Sequence, residues 1–427
     1  MKTGRFGVCG AALMAALGLA MTGGAARADE ALADAILKGK PIIDLRLRYE
    51  TVDDENCTAC AGNTADAVTL RARLGYETGA WNGLSAAFDF DKIWALDEDY
   101  NSTRNGKGTR PVVADPDLIA LNRLQISYAS DFGTKFTLGR QRLTLGNQRF
   151  IGNVGWRQHE QTFDAISLVN TSIKNLTLTY AYIDQVNRVF GPDHPAPATG
   201  QPSRFDSDSH VIDAVYTAIP DLRVEAYAYL LDLDQNAPPP DPALRLSTAT
   251  LGARGELKHK LTNELGVQLN GEYAHQTDYA RNPLSLDLDY GLIEGALHYN
   301  ALTVLGGYEI LTGNGVVGFS TPLATLHTFN GWADIFLTTP ANGLEDAYAK
   351  LAYIWSDIAA VKAITLTAFF HDFSAERTST HYGSEIDASL DVAIDARTSA
   401  LIKFASFDGD GPFRDKNIVW LQAGWKL

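Results

Sequence analysis

Apolar and polar side chains alternate along most of this chain, and that alternation restricts the fold more than any other feature. The first clear stretch sets one series against another: Ile43, Leu45, Leu47 and Tyr49 against Asp44, Arg46, Arg48 and Glu50. Residues 69–76 and 84–91 repeat the pattern. Because side chains two residues apart share a face of a β-strand, the pattern predicts strands with one apolar face and one charged face.

The first 28 residues have the features of a secretory signal peptide. Lys2 and Arg5 precede an uncharged stretch that ends at the small-residue site of residues 26–28. We expect cleavage before Asp29, leaving residues 29–427 as one exported domain. An uncleaved helical anchor on a soluble periplasmic protein is the alternative. No later run approaches the roughly 18 apolar residues of a membrane helix, so any later span must be a strand.

The same alternation predicts an all-β protein of about 18 antiparallel strands. The strands are expected near 42–52, 67–78, 84–94, 118–129, 135–147, 162–172, 176–189, 208–219, 223–234, 246–258, 265–277, 287–299, 301–312, 345–357, 363–375, 386–396, 399–408 and 417–427. Short connections such as 173–175 alternate with long ones such as 95–117 and 190–207. An even strand number with unequal loops is typical of a transmembrane β-barrel with short periplasmic turns and long extracellular loops. A soluble β-sandwich has no reason to keep this loop pattern.

Composition and motifs argue against several classes of function. The formal charge is −15, and loss of residues 1–28 removes three basic and no acidic residues, which leaves −18. An acidic chain is a poor nucleic-acid binder. Its nine histidines form no H-E-x-x-H pattern, and the chain lacks a G-x-S-x-G elbow and a phosphate loop. We therefore predict no catalytic residue, metal or cofactor, and no enzyme.

Charged residues on the predicted inner faces are the main candidate site. They are Arg46, Arg48, Arg71, Arg73, Asp89, Asp91, Arg123, Arg140 and Arg142. Arginine binds carboxylates through a bidentate fork, so these side chains would suit an acidic polymer or small organic anions. They could equally neutralise the facing carboxylates and keep the channel wet. The alternation breaks near Gly139, where a β-bulge would restore it.

Two cysteines remain after the signal peptide is removed. Cys57 and Cys60 lie three residues apart in the first predicted external loop. A disulfide bond is expected in an oxidising compartment. Free thiols and a redox or metal site are the alternatives.

Two runs of residues resemble the alginate-export family of outer-membrane porins. The first comprises 138–143, 152–158 and 161–165, and the second extends from Phe319 to Gly343. The resemblance implies an 18-stranded monomeric barrel in the outer membrane of a Gram-negative bacterium, with an arginine-rich constriction for an anionic polysaccharide. It places pore arginines at Arg123, Arg140 and Arg142. The terminal Leu427 departs from the aromatic residue usual in such barrels.

Segment 313–344 contains too many apolar residues for a freely solvated loop. We expect it to fold into the barrel mouth as a gating loop, with a cap on the rim or a contact with lipopolysaccharide as the alternative. Its candidate contact residues are Phe319, Phe329, Trp332 and Phe336.

The pattern and the resemblance together predict passive conduction of an alginate-like polysaccharide or another anionic solute. The expected partners are outer-membrane lipid, lipopolysaccharide, the anionic solute itself and periplasmic export proteins. The competing interpretations are a general or small-anion porin without polymer specificity, an outer-membrane hydrolase, and a soluble periplasmic β-protein.

Overall fold

The structure, a computed structural model, describes residues 25–192, 202–235, 237, 241–358 and 360–427. These residues form one helix and eighteen long strands. The helix α1 is Ala25–Leu37, and the strands are β1 Lys40–Asp54, β2 Thr64–Glu77, β3 Leu84–Asp99, β4 Leu118–Ala129, β5 Thr134–Gln141, β6 Thr162–Asn170, β7 Leu176–Asn187, β8 Arg204–Tyr216, β9 Leu222–Leu230, β10 Thr248–Lys260, β11 Leu265–Asp278, β12 Asp287–Tyr299, β13 Leu302–Leu311, β14 Leu344–Ile358, β15 Val361–Ser374, β16 His381–Ala393, β17 Thr398–Gly409 and β18 Lys416–Lys426. A two-residue segment, Leu233–Asp234, continues β9 and pairs with β8. Short 3₁₀ helices occupy Pro242–Leu246 and Leu326–Thr328.

The strands form a single closed antiparallel sheet. Each strand pairs with its neighbours in sequence, and β1 pairs with β18 from Asp44 opposite Lys426 to Asp54 opposite Lys416. Closure removes the exposed strand edges that would otherwise promote aggregation. The predicted 18-stranded barrel is confirmed. The main difference is β5, which ends at Gln141 rather than at residue 147 because the chain then turns inward.

The distribution of buried residues is the reverse of that in a water-soluble protein, because charged side chains are buried and apolar ones are exposed. On β1, Arg48 and Glu50 are each 1% exposed, whereas Leu45 and Leu47 are 38% and 44% exposed. The charged face therefore points into the barrel and the apolar face points outward, as in transmembrane barrels. The faces predicted for β1 to β3 agree with this arrangement.

The two rims of the barrel differ. One rim, which we call the short-turn rim, carries short connections such as 130–133 and 171–175. Outward-facing aromatic residues lie on strand ends and turns at this rim: Tyr128, Phe132, Phe136, Tyr216, Tyr299, Tyr353 and Trp355. Such a girdle marks a membrane–water interface, and the short turns of outer-membrane barrels face the periplasm.

The expected bulge at Gly139 is absent, and bulges lie instead in β4 and β7. β5 keeps its register through Gly139, whereas Asn122 of β4 and Asp184 of β7 are extra residues in their ladders. Gly139 adopts φ +115°, and an added Cβ would lie 2.3 Å from the carbonyl oxygen of Leu124. This close approach requires glycine.

Two long connections fold into the lumen. We call them loop A, residues 142–161 between β5 and β6, and loop B, residues 312–343 between β13 and β14. Their apolar side chains form a core with the inner wall, including Phe150, Ile151, Phe319 and Leu323. Loop B therefore packs inside the barrel. The inward path of loop A differs from the sequence prediction, in which the strand continues to residue 147.

Helix α1 precedes the barrel at the short-turn rim. The backbone N–H of Gly79, in the turn between β2 and β3, donates to the carbonyl oxygen of Ala35 over 2.8 Å. Most of the predicted signal peptide, residues 1–24, lies outside the described residues. Within the described part of the chain, no helix combines the length and hydrophobicity needed to cross a bilayer.

Candidate functional site: two loops inside the barrel

Arginines of β1 and β2 hold loop A against the inner wall. The Arg46 Nε donates to the side-chain oxygen of Gln158 over 2.9 Å, and its Nη1 donates to the Gly155 carbonyl over 3.1 Å. Arg71 donates to the Gln158 carbonyl over 3.3 Å and pairs with Asp44 over 2.6 Å. These guanidinium groups therefore serve as hydrogen-bond anchors for the loop.

Glu160 is the charged centre of the loop A anchor. It lies 2.7 Å from Arg73 and accepts a 2.7 Å hydrogen bond from Arg142. Asn122 and Asn153 donate to its two carboxylate oxygens over 2.6 and 2.7 Å. Burial opposes ionisation of Glu160, but Arg73 and Arg142 outweigh it and lower the pKa to about 2. The side chain is thus a buried carboxylate with compensating partners.

Other groups continue this network. Arg73 binds Asp91 through two hydrogen bonds of 2.6 and 2.9 Å, and Asp91 also lies 2.9 Å from the Nδ1 of His159. Arg123 pairs with Asp89. Both aspartates are fully buried. They accordingly neutralise arginines inside the wall and are covered from the lumen.

The structure divides the predicted arginines into three groups. Four are buried at the base of loop A, with Arg46 the most exposed at 9%: Arg46, Arg48, Arg71 and Arg73. The side chains of Arg123 and Arg142 face the interior and keep 13% and 31% exposure. Only this second group retains access to solvent inside the barrel.

Arg140 forms the third group, on the outward face of the wall. It lies opposite Leu124 of β4, which is 40% exposed, and opposite Asp164 of β6. Directly opposed residues in antiparallel strands share a face, so Arg140 points away from the lumen. It forms a bidentate pair with Asp164 over 2.7 and 2.9 Å. Its prediction as a pore residue is wrong, because β5 contains no bulge and Arg140 therefore keeps the outward face of Phe136 and Leu138.

Loops A and B contact each other through their backbones. The Gly152 N–H donates to the Leu323 carbonyl over 2.9 Å, and Thr325 donates to the Gln148 carbonyl over 3.0 Å. The amide of Gln161 also donates to the Leu323 carbonyl, over 3.1 Å. The two runs of sequence that resemble a known family are therefore the two segments that meet in the lumen.

An ion pair adds to this junction. Arg157 of loop A lies 3.2 Å from Asp334 of loop B and 3.2 Å from Glu50 of β1. Burial disfavours the charge of Asp334, but His327 and Arg157 lower its pKa to about 2. A single guanidinium thus connects both loops to the wall.

Loop B is held by carboxylates of β14 and β16. The N–H groups of Trp332 and Ala333 donate to Asp387 over 3.1 Å and to Glu385 over 2.7 Å. Asn330 donates to Asp346 over 3.1 Å. The same region receives Arg149 of loop A, which pairs with Glu309 of β13 over 2.8 Å. Loop A therefore crosses the lumen from the arginine side to this acidic side.

Lys403 of β17 lies among the aromatic rings of loops A and B. Its ammonium is 3.6 Å from the ring centre of Trp332 and 4.3 Å from that of Trp156. It also lies 2.7 Å from the Nε2 of His327. Burial lowers the pKa of His327 to about 3, so the neutral ring can accept from Lys403 at Nε2 and donate to Asp334 at Nδ1.

The four predicted aromatic residues of loop B contact both loop A and the wall. Phe319 is fully buried 6.0 Å from Phe150, and Phe329 lies over the Arg149 guanidinium at 4.8 Å. Trp332 contacts Phe369 at 5.5 Å, and Phe336 contacts Phe373 at 4.6 Å. These rings fix loop B inside the barrel.

Cys57 and Cys60 form a disulfide bond in the β1–β2 connection, with their Cα atoms 5.3 Å apart. The connection lies on the long-loop side of the barrel. Among the described residues, no group of three or more His, Cys, Asp or Glu side chains is arranged to hold a metal ion.

The acidic side of the lumen was missed at the sequence level. Its wall residues follow the same alternation that identified the arginines: Glu309, Asp346, His371, Glu385, Asp387 and Lys403. Extending the inner-face rule from β1–β5 to β13–β17 would have found them. Loop A gave a weaker signal, the uninterrupted run of polar residues at 157–162.

Comparisons with known proteins agree with this architecture. Residues 42–183 match the alginate export family. No curated protein sequence matches the chain. Among solved structures, OccAB3 of Acinetobacter baumannii has a TM-score of 0.71 and 13% identity, covering 92% of this chain and 100% of its own. OccK9 (OpdG) of Pseudomonas aeruginosa has a TM-score of 0.69 and 15% identity, covering 92% and 100%.

A third similar structure is Pseudomonas aeruginosa OpdK with vanillate, which has a TM-score of 0.66 and 13% identity and covers 92% of this chain and 99% of its own. At these identities the similarity shows the fold. Residues 42–183 thus carry the sequence pattern of the alginate export family, and the chain as a whole has the fold of an outer-membrane porin.

Proposed function

We propose that the protein is an outer-membrane channel that passively conducts an anionic solute past Arg123 and Arg142. The observation that carries this proposal is the partial exposure of these two interior arginines, 13% and 31%. The interior arginines of β1 and β2, in contrast, are buried. A guanidinium that keeps solvent access can exchange its carboxylate partner for a passing anion.

Two classes of anion are candidates. The match of residues 42–183 to the alginate export family favours a polyuronate. The similarity to OpdK, solved with vanillate, favours a small organic carboxylate. Both would bind guanidinium groups through the same carboxylate chemistry. We favour the polyuronate because the family match rests on sequence, whereas the similarity to OpdK rests on fold.

Channel block distinguishes the two classes. The purified full chain in planar bilayers should be blocked by oligoguluronate, and Arg123→Gln with Arg142→Gln should weaken that block at least about tenfold. Arg140→Gln is the matched control, since Arg140 lies on the outward face. Block by vanillate without block by the oligouronate would favour the small-anion channel. Equal block in all variants would contradict both versions of the proposal.

Loops A and B form the gate in this proposal. Their contacts with each other and with the wall place both loops inside the lumen, where they would narrow the path of the solute. Replacing residues 314–341 by a short Gly-Ser linker should raise the single-channel conductance several-fold while the barrel remains resistant to detergent below boiling. An unchanged conductance would contradict a gating role for loop B.

A further inference from the structure

Helix α1 lies against the outward side of the barrel wall. The hydroxyl group of Tyr76 donates to the carbonyl oxygen of Ile36 at the end of the helix. Tyr76 belongs to β2 and lies opposite Phe88 of β3, which is 43% exposed on the lipid-facing side. Residues paired in this way share a face. The carboxyl end of the helix is therefore outside the barrel, at the level of the short-turn rim.

The contact between helix and wall is narrow. Ala35 is the buried residue of the helix, at 7% exposure, and its carbonyl oxygen accepts the Gly79 N–H. Gly39 follows the helix and lies so close to the Tyr76 ring that an added Cβ would be 2.4 Å from it. Glycine here allows the chain to pass tightly over the ring into β1.

The apolar residues of the helix extend well beyond this contact. Leu32, Ile36 and Leu37 are 40%, 48% and 82% exposed. At about 100° per residue, Leu32 and Ile36 lie roughly 60° and 100° from Ala35, and Leu37 lies roughly 200° from it. The wall therefore covers the helix at Ala35 and leaves the apolar side chains of Leu32, Ile36 and Leu37 uncovered.

The charged residues occupy the remaining sector. Glu30, Asp34 and Lys38 fall between roughly 220° and 300° from Ala35, and Asp34 pairs with Lys38. A helix with one apolar sector and one charged sector of this kind is suited to lie in the plane of a membrane interface. The charged sector then faces water.

The uncovered sector is continuous with the lipid-facing surface of the barrel. Leu74 and Phe88, on the two strands beside the helix, are 53% and 43% exposed on the outward face. Tyr128, part of the aromatic girdle, lies beside the same turn, where a Cβ added at Gly83 would be 3.1 Å from its ring. The helix is thus placed at the height where aromatic residues mark the membrane boundary.

We propose that α1 is an interfacial anchor whose Leu32, Ile36 and Leu37 side chains insert into the periplasmic leaflet of the outer membrane. The wall holds the helix through Ala35 and Tyr76, and the phospholipid leaflet covers the apolar sector. The helix thereby fixes the depth of the short-turn rim beside β2 and β3.

Site-specific fluorescence tests the proposal. The full chain, exported and with its Cys57–Cys60 disulfide intact, is given one new cysteine by Leu32→Cys or, as the matched control on the same helix, by Asp34→Cys. Each protein is labelled with bimane without reductant and placed in phospholipid nanodiscs containing dibrominated acyl chains near the headgroups. Both residues are exposed, so neither label disturbs the packed wall.

Insertion predicts a blue-shifted Leu32 label that bromolipid quenches about threefold or more relative to the Asp34 label. A second readout uses Leu32→Ser with Ile36→Ser and Leu37→Ser, which should increase amide hydrogen exchange of residues 30–37 in nanodiscs. Equal quenching at positions 32 and 34 would overturn the proposal. An absence of bromolipid quenching at position 32 would do the same, and would indicate that the helix faces the periplasm.

Discussion

The backbone N–H of Gly152 in loop A donates to the carbonyl oxygen of Leu323 in loop B over 2.9 Å. An isolated bridge between Ile151 and Leu323 extends this contact. Two connections that leave the wall almost on opposite sides of the barrel thus join inside it by backbone hydrogen bonds. Such bonds require a close approach of the two chains, and this requirement determines the residue at position 152.

Gly152→Ala is expected to loosen the junction between the loops. An added Cβ would lie 2.2 Å from the Thr325 Oγ1 and 2.9 Å from the Gln148 Cβ, so one loop must move. Overpacking of this kind costs about 1–3 kcal/mol. Planar-bilayer recordings should show a higher mean conductance or frequent transitions to a larger level. Gly155→Ala, whose nearest contact would be 3.4 Å, is the control and should behave as the wild type.

Acid should release loop A through Glu160. Its folded pKa is depressed from 4.5 to about 2, so its stabilising contribution is present above pH 4.5 and is lost as the pH falls toward 2. The pKa of Asp334 is likewise lowered, from 3.8 to about 2, so its stabilising contribution is also lost as the pH falls. Conductance should therefore rise as the pH falls through this window. Glu160→Gln should raise it already at neutral pH, since breaking a buried pair costs about 3–5 kcal/mol. A pH-independent wild-type conductance would refute this expectation.

The ion selectivity should depend on Arg142 and much less on Arg140. Arg142→Gln removes an interior charge with 31% exposure. We expect the chloride-to-potassium permeability ratio to fall roughly fivefold, which corresponds to a change of about 1 kcal/mol in the relative free energy of the two ions in the pore. Arg140→Gln also removes one positive charge, but from the outward face, and should leave the ratio nearly unchanged. Reversal potentials under a salt gradient measure both. A larger effect at position 140 would contradict the strand register described above.

Cys57 and Cys60 should be oxidised in the protein isolated from membranes. Mass spectrometry after alkylation without reductant should find neither cysteine modified. Replacing both by serine should lower the stability by no more than about 2 kcal/mol, because the bond closes a very short loop. Two alkylated cysteines in the wild-type protein would show that the bond does not form in the cell.

The sequence was sufficient to predict which residues form strands and, in β1 to β3, which side chains point inward. The reason is local: a pleated strand reverses its side-chain direction at every residue, so an alternating pattern determines both the strand and its faces. Because loop lengths also alternate, the strand number and the closed topology could be predicted as well. The buried Arg48 and the exposed Leu47 both follow from this rule.

Only the tertiary structure decided what the inward residues contact. Arg140 was predicted to face the lumen on the assumption of a bulge at Gly139, but β5 pairs regularly with β4 and β6 and the bulges lie at Asn122 and Asp184. Arg48 and Arg73 were predicted to line a pore, but both are buried and contact Trp156 and Glu160 of loop A, respectively. Strand alternation is a property of neighbouring residues, whereas register and loop docking depend on contacts between residues far apart in the sequence, and no local pattern specifies those contacts.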